Sequence, residues 1–224
     1  MAPVITHYKF RSSNNTFKVD IALKEKGLSS EDVYIDLFKG EQHSAAFHAI
    51  NNRDMIPALT YGDAKVSESM AILQFIDMAF PNEVSLTPKD PVNLGLCLKY
   101  IHELGSCFDP KNICYQAIFL KQGKEELAEK IDALHKEIAV WDGYLENKEF
   151  LAGDSISLAD IGFFPMMAQM KWWLGLDLAS YPNIDKWYKV MEQRPSIKGH
   201  PFFELAAKLD ETMGLDPIKR RVLA

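Results

Sequence analysis

At 224 residues and 47% apolar content, the chain can bury a full core, which excludes a disordered class. A net charge of −6 and a pI of about 5.5 make nucleic acid and anionic membrane surfaces poor partners. Three cysteines (Cys97, Cys107 and Cys114) do not form a disulfide framework, and no run approaches the ~18 apolar residues of a membrane span, so a reducing, cytoplasmic location is expected.

From Met1 to Lys9 no cationic stretch precedes an apolar run, so no leader is expected. Val4 to Tyr8 is a strand candidate. Phe17 to Lys26 reads as a helix stopped by Gly27. Val33 to Leu37 is β-rich, and Ser44 to Ile50 suggests a short helix. Ile56 to Thr60, a turn at Tyr61-Gly62-Asp63 and Ala64 to Val66 predict a hairpin. Ser69 to Ala79 returns to helix, with Ile72, Ile76 and Ala79 on one face. The order βαβ then ββα predicts a mixed sheet with helices packed on it, over residues 1–80.

Phe80-Pro81-Asn82-Glu83, followed by Pro88 and Pro91, reads as a linker, and residues 91–224 read as helical throughout. Leu127, Ile131, Leu134, Ile138, Trp141 and Leu145, spaced 4, 3, 4, 3 and 4, form one apolar helix face. Ser157 with Asp160 fits a capping box, flanked by the staple pair Ile156 and Ile161. Pro165 should bend the helix that follows.

No phosphate loop, dinucleotide fingerprint, His-Glu-x-x-His or Cys-x-x-Cys occurs, and the six histidines lack metal-ligand spacing, so no metal is expected. Three segments could carry chemistry. Phe10 to Thr16 precedes a helix and offers hydroxyls at its positive end; Ile56-Pro57 leads into a strand; Ser67-Glu68-Ser69 opens another helix. Each by itself is adequately explained by capping or strand-start chemistry.

Together they are more specific. Ile56-Pro57-Ala58-Leu59 with Glu68-Ser69, and Phe150-Leu151-Ala152-Gly153-Asp154 leading into Ser157-x-x-Asp160, resemble the cytosolic glutathione transferases over nearly the whole chain. Ile21 to Lys26, Trp141 to Glu146, Phe164-Pro165 and Arg194 to Lys198 look most like the rho class, with zeta and theta more distant. The resemblance implies an α/β plus all-α protein: a thioredoxin-like N-terminal domain and an all-helical C-terminal domain, paired as a homodimer. It implies glutathione as co-substrate, with a cis-proline at Pro57, the Ile56 backbone on the cysteinyl unit and Glu68 and Ser69 on the γ-glutamyl end. Gln42 or His43 falls at the glycyl end.

The activating hydroxyl has two candidates. Counting back five residues from Lys18 selects Ser13, whereas alignment of Phe10-Arg11-Ser12-Ser13 with the zeta pattern selects Ser12. Asn14 and Asn15 depart from the usual proline or cysteine, and Tyr8 on the first strand is a further candidate. A small apolar electrophile is expected against Tyr100, His102, Cys107, Phe108, Tyr115, Trp172 or Trp173, with core packing as the competing role of each. The expected function is conjugation of the glutathione thiolate to such electrophiles, in detoxification. The alternatives are a zeta-like glutathione-dependent isomerase and a non-enzymatic carrier or structural protein on the same fold. A thiol-exchange reductase is disfavoured because residues 1–80 contain no cysteine.

Overall fold

The computed structural model describes residues 3–82 and 84–224; Met1, Ala2 and Glu83 (the last in the expected linker) lie outside the described residues. The chain divides into two compact units, one ending at Thr87 and the other beginning at Pro88.

The first unit is built on a four-stranded sheet in the order β2-β1-β3-β4. Strand β1 (Ile5–Lys9) leads through α1 (Asn14–Glu25) to β2 (Glu31–Tyr34), which pairs parallel to β1. A short helix α2 (Ala45–His48) precedes β3 (Ala58–Tyr61), which pairs antiparallel with β1 and, through the turn at Gly62, with β4 (Ala64–Ser67). Gly62 takes φ 58°, a left-handed conformation that its missing Cβ permits. Helix α3 (Ser69–Ala79) closes the unit. This is the expected thioredoxin-like arrangement.

Local chemistry explains where the boundaries fall. Helix α1 starts three residues before Phe17, because Ser13 caps it: Ser13 Oγ accepts from Thr16 N at 3.3 Å. Strand β2 begins at Glu31 rather than Val33, since pairing with β1 runs from Thr6↔Glu31 to Lys9↔Tyr34. It stops where the Asp36 carboxylate accepts from Phe38 N and Lys39 N and turns the chain. Within α3 the buried residues include Ile72, Leu73 and Ile76, while Ala79 is exposed.

Helix α1 is buried continuously from Thr16 to Leu23, polar Lys18 and Asp20 included. Asp20 takes the Lys9 ammonium at 2.6 Å, and Lys9 also reaches Asp32 at 3.0 Å. His7, fully buried on β1, has Nδ1 3.3 Å from Asp20 Oδ1, without hydrogen-bond geometry. A second buried pair, Lys26–Asp77 at 3.0 Å, ties the end of α1 to α3.

The second unit contains α4 (Pro91–Glu103), α5 (Cys114–Ile118), α6 (Ala128–Tyr144), α7 (Leu158–Gln169), α8 (Pro182–Glu192), α9 (Pro201–Ala207) and α10 (Leu209–Met213). The predicted apolar face of α6 is the buried one, and Leu127 and Leu145 flank it as core residues. Helix α7 is buried along its whole length and runs through Pro165, so it is apolar all round, as a central helix must be. The capping box forms, with Asp160 Oδ2 accepting from Ser157 N at 2.9 Å. Aromatic rings fill the space around α7: Phe163 stacks on Trp141 at 4.4 Å, and Phe164 on Tyr188 at 4.8 Å. Two widened π-type turns, Leu104–Phe108 after α4 and Met170–Leu174 after α7, replace the regular helix expected there.

Candidate functional site

The first unit gathers the glutathione-site expectations on the segments that open α1 and α3. The loop before α1 closes on itself: Ser13 N donates to Phe10 O at 3.1 Å, and Phe10 N donates to Thr16 Oγ1 at 3.3 Å. Ser13 is extended (φ −76°, ψ 128°), as an N-cap must be, and its oxygen receives Thr16 N–H. A hydroxyl whose lone pair is used this way keeps its own proton to donate. Ser12, half-buried in the preceding turn, does not cap the helix.

Asn15 joins this loop to α3. Its side-chain oxygen accepts from Lys18 Nζ at 2.8 Å and from Ser69 Oγ at 3.3 Å. Ser69, the first residue of α3, is thereby held beside the start of α1. Glu68 before it is exposed and adopts φ 68°, an uncommon conformation for a residue with a side chain. Sequence reasoning missed Asn15 as a bridge; its spacing of three from Lys18 on a helix was the available signal.

The Ile56–Pro57 bond is cis. Among the described residues neither Ile56 N–H nor its carbonyl is paired with another backbone group. The Ile56 side chain and the Tyr8 ring pack against the cluster of Ile35, Phe47 and Ala58, so packing accounts for Tyr8.

Gln42 and His43 lie in a short 3-10 turn, Glu41–His43. Gln42 Nε2 is 3.1 Å from His43 Nε2, and His43 Nδ1 is 3.3 Å from Asp54 Oδ2. An amide donating to Nε2 leaves the proton of a neutral ring on Nδ1, directed at Asp54. His48 Nδ1 meets the other Asp54 oxygen at 2.8 Å. Hydrogen bonds from His48 foremost, then His43, hold the Asp54 carboxyl below the usual aspartate range. Asp54, itself at φ 55°, was not anticipated as the centre of this group. Gln42 Oε1 is buried and has no partner among the described residues.

The electrophile candidates separate by burial. Tyr100 (2% exposed) and Phe108 (0%) belong to the aromatic core, Tyr100 against Tyr144 at 4.9 Å and Phe108 against Phe163 at 5.3 Å, so packing accounts for both. Trp173 is buried against Phe202. His102, Tyr115 and Trp172 are exposed, on three separate elements. Cys107 is half-buried, whereas burial pushes the Cys97 and Cys114 thiols up, away from thiolate chemistry. Among the described residues no group of three or more His, Cys, Asp or Glu could hold a metal ion, and no helix is long and apolar enough to cross a membrane.

A thioredoxin-like unit with hydroxyls at two helix starts and a cis-proline before its third strand, followed by a helical unit, describes a thiol-handling class of protein. Comparison with known proteins gives the family. The model of the glutathione S-transferase N-terminal domain matches residues 3–78, and that of the C-terminal domain matches residues 97–195. Glutathione S-transferase 1 of Dianthus caryophyllus is 30% identical over 195 residues, spanning 78% of this chain and 81% of that protein. A zeta class glutathione S-transferase of Euphorbia esula is 27% identical over 202 residues, 88% of this chain and 89% of its own. The crystal structure of a glutathione S-transferase from the Antarctic clam Laternula elliptica superposes with a TM-score of 0.80 at 29% identity, covering 92% and 94% of the two chains. The chain belongs to the glutathione S-transferase family, and is a transferase with glutathione as co-substrate. None of these relatives carries the rho designation that the sequence resemblance suggested.

Proposed function

We propose that the protein conjugates the glutathione thiolate to small apolar electrophiles, as a rho-like cytoplasmic homodimer serving detoxification, with Ser13 as the activating hydroxyl. The glutathione-binding domain is residues 1–80 and the helical domain residues 91–224. The observation that carries the reading is Ser13 at the start of α1, its oxygen occupied by Thr16 N–H and its proton unspent. A thiol of pKa near 8.5 is only a few per cent thiolate at neutral pH, and lowering it by about two units takes about 2.7 kcal/mol. A hydrogen bond to a charged sulfur supplies roughly 1.5–3 kcal/mol and a helix N-terminus roughly 0.3–1 more, a combined range that brackets this requirement.

In this reading Ser69 and the start of α3 take the γ-glutamyl carboxylate, and Glu68 its ammonium. The unpaired Ile56 backbone pairs with the cysteinyl unit. Gln42, with its unpartnered oxygen, accepts the glycyl N–H in preference to His43, whose ring nitrogens are both engaged. Exposed His102, Tyr115 and Trp172 face the electrophile, with Tyr100 and Phe108 packed behind as core.

The test is the pH profile of conjugation of a chloronitrobenzene-type substrate. Ser13→Ala should raise the apparent pKa of bound glutathione by about one to two units and cut the neutral-pH rate about 10- to 100-fold. Ser13→Thr, which keeps cap and hydroxyl, should restore both, and Ser12→Ala should change neither. A shifted profile in Ser12→Ala alone transfers the role to Ser12; unchanged profiles in both refute serine activation.

A second reading, a zeta-like isomerase, is favoured by the Phe10-Arg11-Ser12-Ser13 run and by the Euphorbia esula relative. Turnover of a maleyl substrate in preference to aromatic halides would select it.

A further inference from the structure

A free carboxylate can only accept hydrogen bonds, so a protein that selects for one meets it with N–H donors or a cation. The side chains grouped around Gln42 carry the opposite chemistry, and their centre is Asp54. The backbone sets Asp54 in place. Buried Asn51 clamps the loop before it, accepting from Arg53 N at 3.0 Å and giving its amide to Met55 O at 2.6 Å, while Asp54 N donates to Asn51 O at 3.0 Å. The resulting φ of 55° is one that aspartate tolerates better than most residues.

The two Asp54 oxygens take His43 Nδ1 at 3.3 Å and His48 Nδ1 at 2.8 Å, and these bonds keep the carboxyl charged. The directions of the neighbouring bonds follow from that charge. Both imidazoles point Nδ1–H at Asp54, and a neutral ring with its proton on Nδ1 keeps a lone pair on Nε2. His43 Nε2 spends that lone pair on the Gln42 amide N–H₂ at 3.1 Å, whereas His48 Nε2 is left as an acceptor. The Gln42 oxygen is thereby turned away from His43, and it is buried without a partner among the described residues.

Gln42 Oε1, His48 Nε2 and the remaining lone pairs of Asp54 are all acceptors, beside one full negative charge. The cations of the same part of the first unit do not offset them. Lys39 pairs with Asp36 at 3.0 Å, Lys65 Nζ donates to Ala49 O at 2.8 Å, and Arg53 lies exposed on the surface. A ligand end that donates, and carries positive charge, satisfies this group of side chains; a free carboxylate does not.

We propose that the thiol co-substrate preferred by this protein is glutathione whose glycyl carboxyl is masked as an amide and extended by an amine, with Asp54 setting the preference. The inference rests on the reading of Gln42 as the glycyl contact. The added amide N–H donates to the acceptors around Gln42, the ammonium pairs with Asp54, and the like-charge approach of a free glycyl carboxylate to Asp54 is removed. The thiol chemistry at the start of α1 is untouched, so the preference falls on KM and not on kcat.

Three thiols separate the contributions: glutathione, its glycyl butylamide and its glycyl 4-aminobutylamide. Conjugation of a chloronitrobenzene-type substrate by the full-length protein is followed at about pH 8, above the ordinary imidazole range, with each thiol corrected for its uncatalysed rate. The 4-aminobutylamide should exceed the butylamide about two- to fivefold in kcat/KM, the size expected for a pair of partly exposed charges, and free glutathione should be the poorest of the three. Added salt should narrow the gap between the two amides. Asp54→Asn should bring the two amides to equality, and Arg53→Gln should leave the KM for glutathione unchanged. Equal kcat/KM for the two amides in the wild type, a preference for the free carboxylate, an aminobutyl preference that survives Asp54→Asn, or a severalfold rise in the KM for glutathione in Arg53→Gln would each overturn the inference while leaving glutathione conjugation intact. Turnover of none of the three thiols would overturn the glutathione reading itself, and this inference with it.

Discussion

Asp160→Ala should be among the most damaging single substitutions in the helical unit. The carboxylate is fully buried and collects four donors: Leu151 N at 2.9 Å, Ser157 N at 2.9 Å, Ser157 Oγ at 2.7 Å and Trp187 Nε1 at 2.9 Å. These come from the segment before α7, from its cap and from α8, so one side chain fastens three pieces of the unit. Burial pushes the carboxyl up, and the four donors pull the other way by favouring the charged form. Truncation leaves the donors facing an apolar cavity, at about 1–3 kcal/mol for each buried group left unmade. The Ser157 hydroxyl can rotate toward another acceptor; the two backbone N–H groups and the indole cannot. Relief from burying a charge offsets part of the loss, which leaves about 3–5 kcal/mol, a large share of a typical 5–15 kcal/mol stability. Asp160→Asn keeps the volume and one acceptor but points an amide N–H₂ at donors, and should lose about 2–3 kcal/mol. Urea unfolding followed by tryptophan fluorescence is the assay, because all four tryptophans lie in the helical unit. A loss below about 1 kcal/mol for the alanine variant would refute the account of Asp160 as the unit's polar anchor.

Two other outcomes follow from buried groups. Asp77 is pushed up by burial, but the Leu86 N–H, Thr87 and the Lys26 ammonium outweigh this and hold its carboxyl below the ordinary range. The unfolded chain therefore binds the proton more readily. The stability Asp77 contributes is complete above the unfolded value of about 3.9 and is lost as pH falls through the lower folded value. Acid unfolding monitored by amide hydrogen exchange in α3 should be less steep in Asp77→Asn than in the wild type; an identical slope contradicts the assignment. Phe108→Ala should lose about 3–5 kcal/mol, as expected for a fully buried aromatic ring among Trp141 and Phe163, and leave kcat of the folded enzyme near wild type. A stable variant with a raised electrophile KM would instead make Phe108 a contact residue.

Much of the architecture was legible in the sequence where one physical signal dominated. The stripe from Leu127 to Leu145 and the Ser157–Asp160 box each appear as read, because periodicity and capping act within a few residues of themselves. The beginning of α1 was misplaced because Asn14, Asn15 and Thr16 have poor helix propensity, yet they form its first turn once Ser13 caps it. Strand β2 was displaced for a non-local reason. Val33 to Leu37 has the better β composition, but pairing to β1 determines the register and draws in exposed Glu31 and Asp32.

The site was legible as a set of segments, not as a set of bonds. Capping and substrate binding call on the same serines, so composition does not separate them; the direction of each hydrogen bond does. Ser157 and Ser13 both begin helices. The Ser157 hydroxyl donates to Asp160 at 2.7 Å, which consumes its proton and leaves it a purely structural group. The Ser13 hydroxyl accepts from Thr16 N at 3.3 Å and retains its proton. Ser44 accepts in the same manner from Phe47 N at 3.2 Å, but it opens a helix of four residues whose aligned dipoles are too few to favour a thiolate strongly. Ser13, at the start of a twelve-residue helix and two residues from Asn15, which accepts from Lys18 Nζ, is the cap that combines an unspent proton with a long dipole and a nearby cation. In the reading proposed above, these three properties distinguish an activating serine from a capping one, and only the first needs the three-dimensional structure to be seen.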